Sequence, residues 1–214
     1  MKLYKLTDEH GCTRGGTQWG EGVTHSGTGE GELCGPGFIH AYLSPELAVL
    51  LNPIHANIKN PRLWECDGEI AQNDRNTKVG CVSLTTVREV PLPAVTTEQR
   101  VTFAIRCTLL VYRAPDFVAW AERWLSGEDR TRESAADAAD AAYAAAWSVA
   151  WAEAATAAWS VAWAATEAAT AAWAAASAAD AAAAADAASA ASAAARYAAN
   201  QRFDLVALAR EALQ

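Results

Sequence analysis

Beyond Gly127 the chain contains no glycine and no proline. Without either strong breaker, residues 128–214 have no cheap means of making tight turns, and about half of them are alanine, the best helix former. That tract is predicted to be almost wholly α-helical. Lysine is also missing after Lys78, and the arginines are scattered. With a net charge of -8 and a pI near 5.0, this argues against nucleic acid as a partner, because phosphate binding needs clustered cations. The five cysteines (Cys12, Cys34, Cys66, Cys81 and Cys107) are odd in number and include no C-x-x-C pair. A disulfide framework or zinc ribbon is therefore not expected, and reduced thiols in a cytoplasmic protein fit best. Residues 141–176 are apolar in composition. However, alanine contributes little to membrane insertion and Glu153 and Glu167 interrupt the run, so no membrane span is expected. Residues 1–7 carry Lys2 and Lys5 with no apolar segment behind them, so no secretory leader is expected either.

What is present divides the chain into two compositional halves. Residues 1–115 read as a small mixed α+β domain, and residues 116–214 as an Ala/Trp-rich all-α bundle or hairpin, making the fold class α+β. In the first half, residues 3–6 and 38–43 read as strands. Ten glycines between Gly11 and Gly37 indicate loops around short strands. Ser44-Pro45-Glu46 starts a helix, with Ser as N-cap and Pro in the first turn, expected to end near Pro53. Residues 62–70 and 78–90 read as two strands of a hairpin, the second rich in β-branched residues. Thr96-x-x-Gln99 is a capping box that opens a helix to about Tyr112, although the β-branched content leaves a strand open. Residues 116–125 form a short helix capped by Gly127.

In the second half, Ser134-x-x-Asp137 looks like a helix start. Residues 146–152 and 158–164 are identical copies of AWSVAWA, offset by twelve. Twelve residues turn a straight helix by about 120°, so the copies cannot face the same way along one rod. Tyr143, Trp147 and Trp151 form one row, and Trp159 and Trp163 another. Two or three helices are expected, with breaks near residues 174–180 and 154–158. Alanine buries little area, so the Trp residues must supply much of the burial or, if exposed, an association surface. The expected anchors are Tyr143, Trp147, Trp151, Trp159, Trp163 and Trp173.

Three blocks in the first half carry a family likeness: ELCGPGFIHAYLSPELAVLL from Glu32 to Leu51, LWECDGEI from Leu63 to Ile70, and NTKVGCVSL from Asn76 to Leu84. In these blocks the chain resembles an uncharacterised domain of phage and phage-like bacterial proteins, which often carry an Ala/Trp/Asp-rich tail. The likeness covers roughly the first 90 residues and implies no activity. It implies a location in the host cytoplasm or the virion. The segment from Gly37 to Ala48 is also similar, more faintly, to the strand-then-helix of ADP-ribosyltransferase-like folds. That second likeness implies a candidate pocket near His40, Tyr42 and Glu69, with Glu89 a further candidate acid.

Cys34 and His40 have the side chains of a zinc site or of a nucleophile–base pair. Neither further ligands at zinc spacing nor an orienting third group accompanies them. The leading expectation is a non-enzymatic, phage-associated structural or interaction protein. It would have no cofactor, metal, nucleic acid or membrane, and its helical module would bind a protein partner or form a homo-oligomer. The alternatives are a nucleotide-binding or ADP-ribosyltransferase-like enzyme, and an immunity or counter-defence protein that sequesters a partner.

Overall fold

A computed structural model describes residues 1–150, 155–176, 189–190, 193–194 and 203–214, with the side chains of 145–150 and 155–162 left aside. It is an α+β protein in which the strands precede most of the helices. The chain divides into two compact units, residues 1–94 with 204–210, and residues 95–203 with 211–214. The division falls earlier than at 115 because the helix opened by the capping box packs with the alanine-rich helices.

The first unit is built on an antiparallel sheet. Its strands are β1 (Lys2–Thr7), β2 (Cys12–Thr13), β3 (Thr17–Gln18), β4 (Thr24–Ser26), β5 (Ile39–Ala41), β6 (Arg62–Asp74) and β7 (Lys78–Val90). β2 and β3 form a separate small ribbon. In the main sheet β1 pairs with β6, β6 with β7, and β7 with both β4 and β5. Tyr42, just past β5, exchanges both backbone hydrogen bonds with Tyr4 of β1, at 2.8 and 2.9 Å. The sheet therefore curls until β5 meets β1, enclosing a small core of Leu3, Trp19, Ala41, Trp64, Cys66, Val79, Cys81 and Leu84.

The β6–β7 hairpin is the backbone of this unit. β6 runs past the expected end at residue 70 to Asp74, and the turn that follows places Arg75 and Asn76 at φ 49° and 64°. Left-handed turn residues match the right-handed twist of paired strands, which is why an Arg-Asn turn can hold so long a hairpin. The glycine-rich passage is explained by close crossing of backbones: a Cβ at Gly37 would overlap the Glu30 carbonyl, and one at Gly27 would overlap Gly37. Helix α1 (Pro45–His55) starts as expected, with the Ser44 hydroxyl accepting from Leu47 N–H. It continues through Pro53 instead of stopping there. Proline fits helical φ and costs one hydrogen bond, and here it falls in the last turn.

The second unit is helical: α2 (Thr97–Leu109), α3 (Pro115–Ser126), α4 (Arg132–Ala150) and α5 (Ala155–Ala176). A last helix, α6 (Leu205–Ala212), is shared between the units in sequence. The Thr96/Gln99 capping box is formed in both directions, which selects helix over strand for α2. Gly127 ends α3 at φ 81°. α4 starts earlier than Ser134. The Asp129 carboxylate gathers the Thr131 N–H and hydroxyl and the Ser134 hydroxyl, leaving Thr131 Oγ1 to accept from Ser134 N–H.

Tyr143 of α4 and Trp163 of α5 have ring centroids 5.8 Å apart. On one unbroken helix, residues twenty apart would be separated by about 30 Å, so the tract folds back between the two AWSVAWA copies. Residues 151–154, between the described ends of α4 and α5, lie outside the described residues, as do 177–188, the stretch after α5 where the second break is expected. Buried Ala165, Ala168, Ala169 and Ala172 make an i, i+3, i+4, i+7 stripe on α5. Thr108 Oγ1 of α2 donates to the Ala164 carbonyl of α5 at 3.2 Å. No helix among the described residues is long and apolar enough to cross a membrane.

Candidate functional site

Alternation along β1 puts Leu3, Lys5 and Thr7 on the enclosed face of the sheet. The register sets Leu3 opposite Cys66, Lys5 opposite Trp64 and Thr7 opposite Arg62. Lys5 is therefore a cation in an apolar interior. Its Nζ donates to the His40 carbonyl at 3.0 Å and lies 4.6 Å from the centre of the Trp19 ring. Burial draws its ammonium down to about 8, while the neighbouring Cys66 and Cys81 sulfurs pull the other way. The same burial pushes the Cys66 thiol up to about 12 and raises Cys81, so both thiols are protonated at neutral pH. Trp19 closes the cluster. Its indole N–H donates to Thr13 Oγ1 at 3.1 Å and its ring packs edge-on against His25. Trp64 below it donates to Thr7 Oγ1 at 3.0 Å, with the Arg62 guanidinium stacked on its ring. The sequence reading did not single out Lys5. The available signal was its place between Leu3 and Thr7 at strand spacing, on the same side as residues with apolar partners.

The three residues of the candidate pocket are placed as follows. His40, on β5, donates from Nε2 to the Leu33 carbonyl. Burial lowers its basicity, the Lys78 and Lys5 charges add to that, and the Leu33 carbonyl opposes it, so the ring is neutral near pH 7. Tyr42 is buried and stacked on His55 of α1 at 5.9 Å, and burial raises its hydroxyl far above the ordinary range. Glu69 is exposed on β6. It lines an open groove with Asp67, Ile70, Ala71, Val82 and Ser83, a lining that includes neither His40 nor Tyr42. His40 thus has one ring nitrogen occupied by a backbone carbonyl, Tyr42 is a packing residue, and Glu69 belongs to a different surface. Glu89 pairs with Arg62, whose hydrogen bond and charge lower its pKa. Among the described residues, Cys34 and His40 included, no group of three or more His, Cys, Asp or Glu could hold a metal ion.

On the helical unit, Tyr143 is 44% exposed and leans on Trp163, which is partly buried. Trp173 is also partly buried, with the Arg132 guanidinium 4.3 Å from its ring. The side chains of Trp147 and Trp159, and all of Trp151, lie outside the described residues. Among the described residues, the fully buried aromatic side chains of this core come from α3. Phe117, Trp120 and Trp124 are buried there among alanines of α4 and α5. Their i, i+3, i+7 spacing is the sequence signal of one buried helical face. No family model, curated protein or solved structure matches the chain.

Proposed function

We propose that the chain is a non-enzymatic, phage-associated interaction protein, acting in the host cytoplasm or the virion, whose α4–α5 hairpin binds a second copy of itself. The observation that carries this reading is the Tyr143–Trp163 ring pair, 44% exposed at Tyr143, on the alanine-rich α4–α5 hairpin. Aromatic rings of this size bury roughly 150–250 Å² each and dominate interface energetics, whereas alanine supplies a smooth surface for close helix approach. In sequence, Trp147 follows Tyr143 by one helical turn and continues the row. The phage association rests on the three N-terminal blocks described above.

Size-exclusion chromatography with light scattering tests the assembly. The wild-type chain should run as a dimer or larger, and Tyr143→Glu should shift it to monomer while leaving the helical circular dichroism unchanged. A wild-type chain that stays monomeric at the highest attainable concentration would refute self-association.

A further inference from the structure

Cys34 and Lys78 form a pair that neither the core nor the proposed interface uses. Cys34 is exposed in the glycine-rich loop, and Lys78 is the first residue of β7. The Lys78 Nζ lies 3.2 Å from Cys34 Sγ. Among the described residues Lys78 makes no ion pair with a carboxylate, and this sulfur is the only hydrogen-bond partner of its ammonium. The loop that carries Cys34 is fixed on both sides of it. Leu33 accepts from His40 Nε2, Gln72 Nε2 donates to the Gly31 carbonyl at 3.2 Å, and Gly29 N–H donates to Gly37. The amine and the sulfur are thus held in place, at the roughly 3–3.5 Å separation of a near-attack arrangement. The other thiols are placed differently: Cys66, Cys81 and Cys107 are buried, and Cys12 donates to Gln18 at 3.1 Å.

We infer that Cys34 and Lys78 are a covalent modification site, at which a peroxide-class oxidant joins Sγ to Nζ through a sulfenamide bond. In the first step hydrogen peroxide oxidises the thiol. Its O–O bond breaks, one oxygen forms Sγ–OH and the other leaves as water. In the second step the Lys78 amine, having released its ammonium proton to solvent, attacks Sγ. The S–N bond forms, the S–O bond breaks, and the departing hydroxide takes one amine hydrogen to leave as a second water. Sulfenic acids undergo this condensation with nitrogen when one is within reach. Sulfur is oxidised by two electrons, peroxide is reduced by two, and the protein ends two hydrogens short of its neutral thiol and amine, the ammonium proton having gone to solvent. The bond ties the glycine-rich loop to the start of β7.

The test is peroxide treatment of the full chain at mildly alkaline pH, followed by digestion and mass spectrometry. The expected product is a Cys34 peptide linked to a Lys78 peptide, two hydrogens lighter than their sum and separable by thiol reductant. Cys34→Ser and Lys78→Gln should each abolish it. Trapping with dimedone gives a second readout that does not depend on recovering the linked peptide. Sulfenylated Cys34 should accumulate to a several-fold higher level in Lys78→Gln than in the wild type, because the amine no longer consumes it. Equal dimedone labelling in the two chains, a link containing an additional oxygen, or Cys34 oxidised only to sulfinic acid would overturn the assignment.

Discussion

Replacing Lys5 with methionine tests the electrostatics of the sheet unit. The two side chains are similar in length, but only one can ionise. The ammonium is held at about 8 instead of 10.5, so the unfolded chain binds a proton more readily than the native one across that interval. Native stability therefore increases with pH from about 8 to 10.5, and the full difference is about 3 kcal/mol at 1.36 kcal/mol per tenfold. Between pH 7 and 9 the wild type should gain about 1 kcal/mol from this residue alone, a gain that methionine cannot make. The lost hydrogen bond to the His40 carbonyl shifts the two curves by an amount that does not vary with pH, so it does not obscure the slope. The assay is urea unfolding of both chains at pH 7, 8 and 9, followed by near-UV circular dichroism. The stability of Lys5→Met minus that of wild type should fall as pH rises. The Cys66 and Cys81 thiols lose the lowering effect of the Lys5 charge in the methionine chain, which moves their ionisation further up. A flat difference, or one that grows with pH, would mean that Lys5 is hydrated and that its burial is misjudged.

Other substitutions probe the helical unit. Ala168→Leu places three extra carbons in the fully buried stripe of α5 and should cost about 1–3 kcal/mol by overpacking, read from the urea midpoint. Trp120→Ala should cost about 3–5 kcal/mol. Trp120→Phe should cost far less, because among the described residues the buried indole N–H of Trp120 has no hydrogen-bond partner to lose. Thr96→Ala removes one side of the capping box and should cost about 1 kcal/mol, visible as faster hydrogen exchange in the first turn of α2.

The elements most legible in the sequence were those defined by local chemistry. Ser44 with Pro45, Thr96 with Gln99, and Gly127 each mark a helix end through a hydrogen bond or a φ angle that a few neighbouring residues determine. β7 was legible because β-branched residues fill it from Lys78 to Val90. What depended on distant partners was not legible. Pro53 suggested a stop, yet α1 carried on through it. Thr131 supplies the cap of α4 only because Asp129 turns back on it. Lys5 looks like a surface lysine until β1 is paired with β6 and Trp19 is laid over it. Of the candidate pocket, the residues could be named but not their relation: His40, Tyr42 and Glu69 are spread over two strands and a loop that meet only through the sheet's pairing.

The contact between Tyr4 and Tyr42 has a consequence for solution behaviour. A strand with unpaired amides along one side is an invitation for a stranger's strand to dock there. β1 has β6 on one flank and a mutual pair of backbone bonds on the other, which leaves little room for such an intruder. The rim at Tyr4 and Tyr42 is thereby shut to the edge-to-edge addition from which fibrils grow.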